Sequence, residues 1–148
     1  MKRWLLFSTV LLISVSCNKI TKYGTIPKIT FNDMGFNTIK QGSDTTLRVT
    51  IDFEDGDGDI GFQSENLFFV DPRDSDTVRY LIPTIPERFE PKRGLKGTLQ
   101  VDVLCATLVI KDTANHPEND TLIWNIYLKD QAGNQSNIIK SEALILTK

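Results

Sequence analysis

The chain has 148 residues, a formal charge of −2, one histidine and two cysteines. That length supports one domain with a real core. The mild acidity argues against a nucleic-acid partner, which calls for a basic face. Two cysteines, one of them close to the N-terminus, rule out a disulfide framework.

In chain order, residues 1–16 read as a leader. Lys2 and Arg3 precede a short apolar stretch, Trp4–Phe7 and Val10–Ile13. It falls short of the roughly 20 apolar residues that span a bilayer and suits an export signal. Ser14 and Ser16 then lead to Cys17. This arrangement resembles the lipobox of bacterial lipoproteins, with Ser14 where leucine is usual. The resemblance implies that Cys17 receives a diacylglyceryl group, becomes the new N-terminus and is acylated there, palmitate being one such chain. Several acyl chains anchor a protein stably where one does so only marginally. Loss of Lys2 and Arg3 takes the formal charge to −4. Residues 17–25, polar and basic, read as a tether between lipid and domain. Asn18 is not the aspartate that resembles an inner-membrane retention signal. The acidic residues of a surface-export signal are replaced by Asn18, Lys19 and Lys22. By resemblance the outer membrane is favoured, with its periplasmic face and the cell surface both open.

From residue 26 to 148 the hydrophobic period is two. Strands are expected at 26–31, 45–54, 66–71, 77–82, 97–110 (with a break near Cys105), 121–129 and 138–146. The clearest is 45–54, where Leu47, Val49, Ile51 and Phe53 point one way and Arg48, Thr50, Asp52 and Glu54 the other. About seven short strands separated by turn signals predict an all-β, antiparallel, immunoglobulin-like β-sandwich, with another antiparallel barrel or sandwich as the alternative. Trp124 falls mid-strand on the apolar face and is expected in the core. Residues 83–97, with three prolines, form a long connection. It reads as a solvated crossover or, through Phe89 and its basic neighbours, as a functional loop.

The stretch with chemistry in it is Phe53-Glu-Asp-Gly-Asp-Gly-Asp-Ile-Gly61. Alternate carboxylates on a glycine-rich loop can turn inward around one point, and a hard cation such as Ca2+ takes six to eight oxygens. Asp55, Asp57 and Asp59 are therefore the expected metal ligands. The EF-hand pattern is rejected, because Ile60 and Asn66 stand at its glycine and glutamate positions and strands flank the loop. In a sandwich the loop after the second strand and the Asp130–Asn134 turn share one end, so Asp130 is expected as a fourth ligand, with Asn134 or Asn137 adding an amide oxygen. Crowded carboxylates repel unless a cation neutralises them. A solvated acidic turn without metal is the alternative.

Asp55-Gly-Asp-Gly-Asp-Ile-Gly61, Leu95-Lys-Gly-Thr-Leu-Gln-Val101 and Leu128-Lys-Asp-Gln-Ala-Gly-Asn-Gln-Ser-Asn137 together resemble uncharacterised Bacteroidetes lipoproteins with an immunoglobulin-like or cadherin-like domain. The resemblance covers most of the chain after Cys17 and implies neither an enzyme nor a settled ligand. The function expected is a lipid-anchored binding or scaffolding module of the cell envelope with a calcium-stabilised loop and no catalysis. The alternatives are a glycan-binding accessory lipoprotein, using Phe89 or Tyr80, and a hydrolase. Against the hydrolase, His116 lies in a His-Pro turn, Cys105 lies in an apolar run, and no serine stands in a nucleophile turn. A protein or glycan partner is not identified by these residues.

Overall fold

Alternation of apolar and polar side chains along Thr46–Asp55 builds the central strand of the molecule. Leu47, Val49, Ile51 and Phe53 are buried, while Arg48 between them is exposed. This computed structural model describes residues 23–86, 89, 94–111, 113–115 and 117–148. The leader, Cys17 and His116 lie outside the described residues.

Ten strands follow in order: β1 Lys28–Met34, β2 Thr38–Lys40, β3 Thr46–Asp55, β4 Leu67–Val70, β5 Thr77–Tyr80, β6 Leu95–Leu104, β7 Asn119–Leu122, β8 Asn125–Leu128, β9 Ile139–Lys140 and β10 Leu144–Thr147. One sheet has the order β1-β3-β6, and its β3–β6 ladder is antiparallel and unbroken from Thr46↔Leu104 to Asp55↔Leu95. Two further ladders have the orders β5-β4-β8-β9 and β2-β10-β7. They are consecutive pieces of one sheet. β7 and β8 are parts of one chain run, as are β9 and β10, and each part pairs with its counterpart (Leu122↔Leu144, Asn125↔Lys140). At the break, the Trp124 amide donates to the Ser141 hydroxyl (2.9 Å) and the Ser141 amide donates to the Trp124 carbonyl (3.0 Å), so hydrogen bonding continues through it. β2 joins β10 in parallel. The result is a three-stranded sheet facing a larger one, in immunoglobulin-like order. Among the described residues there is no α-helix, and no helix is long and apolar enough to cross a membrane.

The core lies between the sheets. Trp124, Phe69, Leu47, Ile51, Ile126, Leu128, Leu144 and Leu146 are fully enclosed, and Phe69 meets both Trp124 and Tyr80 edge-on. Several expected boundaries shift. The run at 97–110 ends as a strand at Leu104 and turns through a 3-10 turn at Cys105–Thr107. The strand expected at 121–129 starts earlier and is interrupted at Ile123–Trp124. β2 was not foreseen, because three residues are too few to show a period.

Candidate metal centre

β3 runs toward one pole of the sandwich and delivers Asp55 there as its last residue. β8 runs to the same pole and leads into the Asp130–Asn134 turn. The two loops are joined directly. The Gln131 amide donates to the Asp59 carbonyl (3.1 Å), and the Ala132 amide donates to Asp59 Oδ2 (3.2 Å). The side-chain amide of Gln131 donates to the Gly61 carbonyl. The expected meeting of the two loops is therefore present.

Asp55, Asp57 and Asp59 each offer an oxygen, and these oxygens lie within 4.8 Å of one another. That is no farther apart than two ligands on opposite sides of one Ca2+, at about 2.4 Å each. Asp55 is wholly buried, unlike the solvated acidic turn. Both of its carboxylate oxygens, with Oδ1 of Asp57 and Oδ1 of Asp59, are buried and have no hydrogen-bond partner. Leaving one buried acceptor unsatisfied costs about 1–3 kcal/mol, and more when it is charged. Four such atoms on three clustered carboxylates make a strongly electron-rich hollow.

The same crowding bears on the protonation of the site. Burial, then the charges of Asp57 and Asp59, push the Asp55 carboxyl from the usual 3.8 up to about 7. Burial, then Asp130 and Asp57, raise that of Asp59. The hollow thus favours positive charge, and a proton and a metal ion would compete for it. Hard carboxylate oxygens without sulfur or imidazole suit Ca2+ and fit poorly with softer metals.

Asp130 is buried beside the three. Its Oδ1 accepts the Asn134 backbone amide (2.7 Å) and its Oδ2 the Asn134 side-chain amide (2.8 Å). It adds negative potential, but it is not one of the three whose oxygens close on a common point. Asn137 is excluded as an amide ligand. Its side chain pairs with the backbone of Ile29, accepting that N–H at 2.8 Å and donating to the carbonyl at 2.9 Å.

Two supporting features escaped the sequence reading. Asn66, noted only for not being a glutamate, is buried and clamps the loop. Its amide nitrogen donates to the carbonyls of Ile60 (2.7 Å) and Lys129 (2.9 Å), and its oxygen accepts the Ile82 amide (3.0 Å). No local pattern marks it, because the clamp joins Ile60, Ile82 and Lys129 through one side chain. The second feature is the strap formed by Tyr23 and Gly24. The Gly56 amide donates to the Gly24 carbonyl (2.8 Å). A Cβ on Gly56 would stand 2.3 Å from the Tyr23 carbonyl oxygen, so only glycine allows this approach. Gly94, at φ +91°, turns the chain against the Tyr23 ring.

The remaining candidates have structural roles. Cys105 is fully buried, and burial raises its thiol. Tyr80 packs against the core, and burial followed by Cys105 pushes its hydroxyl up to about 12. Phe89 is exposed. At the opposite pole an open hollow of about 900 Å³ is lined by Arg73, Lys111, Asp120 and neighbouring residues. Its charges are matched internally. Arg73 grips Asp71 and Asp120, both at 2.7 Å, while Lys111 bonds Asp74 and also Asp76. Burial works against the Asp71 charge, and the Arg73 fork more than offsets it.

No protein-family model matches the chain, and no curated protein matches it.

Proposed function

We propose that this chain is a binding or scaffolding module of the cell envelope, held to the outer membrane by lipid on Cys17 and stabilised at one pole by Ca2+, with no catalysis of its own. The observation that carries the cation is Asp55. A fully buried carboxylate with neither oxygen bonded, facing two more carboxylates, is a poor arrangement unless a guest neutralises it. Asp55, Asp57 and Asp59 would hold the ion, with Asp130 as a fourth, buried carboxylate beside them. The ion would tie the β3–β4 loop to the β8–β9 turn and so stiffen that end. The anchor rests on the leader and cysteine pattern, and the lineage on the resemblance to Bacteroidetes lipoproteins.

Calorimetric titration of the full-length chain in detergent with Ca2+ tests the cation. Heat of binding and a rise in melting temperature are expected, since a ligand bound only by the native state must stabilise it. Absence of both removes the cation. The mass of the mature N-terminus tests the lipid separately.

One observation favours the hydrolase reading. An Asp55 carboxyl near 7 has the poise of a general acid. Its complete burial keeps it from reaching a substrate. Hydrolase screens that are positive in the parent and negative in D57N would reinstate that reading.

A further inference from the structure

The outward faces of the two sheets differ in a way that packing does not require. On the β1-β3-β6 sheet the outward charges are of both signs, and most of them pair with each other, Lys28 excepted. Arg48 forks onto Asp102 at 2.7 and 2.9 Å, Lys96 faces Glu54, and Asp52 accepts from Thr98 and Asn32. Such a face is satisfied by itself and by water.

The face of the large sheet is built otherwise. One register row runs Arg79, Phe68, Tyr127 and then, one place beyond the Ile126↔Ile139 pair, Ile138. Ile138 is 59% exposed, and Phe68 and Tyr127 are half-buried. The row below runs Thr77, Val70, Asn125 and Lys140, and Lys129 stands above, its ammonium 5.8 Å from the Phe68 ring centre. Across β5, β4, β8 and β9 the face therefore carries an apolar stripe and, with Lys129, three cations, and no carboxylate stands on these four strands, Glu142 being exposed just past β9. Arg79, Lys129 and Lys140 are exposed and have no ion-pair partner among the described residues. Segregating unpaired cations on one face of an acidic chain favours a partner of opposite charge.

We infer that this face docks an acidic protein segment that also carries apolar side chains. The inference rests on the reading of the chain as a binding module and names its surface and partner class. Ring geometry separates a protein from a glycan. Phe68 and Tyr127 lie 4.7 Å apart and 10° from parallel, a separation equal to the strand spacing. Both rings therefore stand up from the sheet and turn edges to solvent. A pyranose stacks on a free ring face; stacking takes one face of each ring, and the outer faces look along the sheet toward Arg79 on one side and Ile138 on the other. Ring edges, bearing positive partial charge, suit carboxylates and aliphatic groups instead.

The test uses the full-length chain in detergent and a labelled peptide alternating glutamate with leucine, read by fluorescence anisotropy with calcium and with chelator. Its comparators are the lysine-for-glutamate peptide and polygalacturonate. The acidic peptide should bind at least about tenfold more tightly than the basic one. The triple variant R79E/K129E/K140E should invert that preference, and I138S should weaken binding by roughly threefold or more. All four positions are exposed, so melting temperatures should hold. No preference for the acidic peptide, indifference to I138S, or equal binding of polygalacturonate would each overturn the inference. If the peptides fail while calcium still raises the melting temperature, the docking face falls and the cation-stabilised module stands. Loss of the calcium response alone has the opposite meaning.

Discussion

Asp55 sits where a strand residue would ordinarily be apolar, and its replacement tests the electrostatics most directly. The substitution D55N keeps the shape and removes one of three crowded charges, and the new amide can donate to Asp57 and Asp59. We predict that D55N raises the metal-free melting temperature, by about 1–3 kcal/mol in stability, and abolishes the calcium response. Thermal melts with calcium and with chelator decide it. The pH dependence follows from the same group. The folded carboxyl titrates near 7 and the unfolded one near 3.8, so between these values the folded state binds the extra proton. Metal-free stability should therefore fall as pH rises from about 4 to 7, by up to about 1.4 kcal/mol per unit. The calcium-induced gain should grow over the same interval, because the proton leaves the site to the ion. Melts at pH 5 and 7.5 check both signs, and D55N should flatten them. Asn66 is the second sensitive residue. N66A strands the Ile82 amide and two carbonyls and should cost about 3 kcal/mol, with a lower affinity for calcium, read by denaturant titration and calorimetry.

At the scale of elements, glycines set how closely the loops approach. A Cβ on Gly61 would stand 2.6 Å from the Pro83 carbonyl oxygen and 2.9 Å from the Ile85 amide nitrogen. Both are backbone atoms and cannot swing away, so G61A should destabilise by about 1–3 kcal/mol in denaturant melts, with or without calcium. Legibility in the sequence followed burial. β3 and β6 were readable because each shows one face to the core over ten residues, and Leu47, Val49, Ile51 and Phe53 keep that alternation. The interruption at Ile123–Trp124 was not readable. There side chains replace the ladder, the Ser141 hydroxyl taking the Trp124 amide and the Ser136 hydroxyl the Leu128 amide further on. Such exchanges leave no periodic trace. The three aspartates and their neighbour Asp130 could be placed from spacing and topology together. The clamp by Asn66 and the pairing of Asn137 with Ile29 could not, since each joins residues far apart in the chain by a single side chain. The stacked Phe68–Tyr127 pair was missed for a related reason, as it depends on strand register.

For the whole molecule, the two poles are chemically opposed. Among the described residues one gathers carboxylates with no cation paired to them, and the other matches its buried carboxylates with Arg73 or Lys111. With Cys17 acylated as proposed, the strap described above would set which pole lies nearer the bilayer. Tyr23 and Gly24 rest on Gly56, beside the aspartates, and six steps of chain separate Tyr23 from Cys17. At about 3.5 Å a step that reach is at most about 20 Å. An acylated molecule would stand with its calcium-seeking end toward the headgroups and its far pole outward. Anionic headgroups at about −30 mV enrich a divalent ion near their surface by about tenfold. Half-saturation on anionic vesicles should then need roughly a tenth of the bulk calcium required on zwitterionic ones, and lipid composition would set how stiffly the sandwich is mounted.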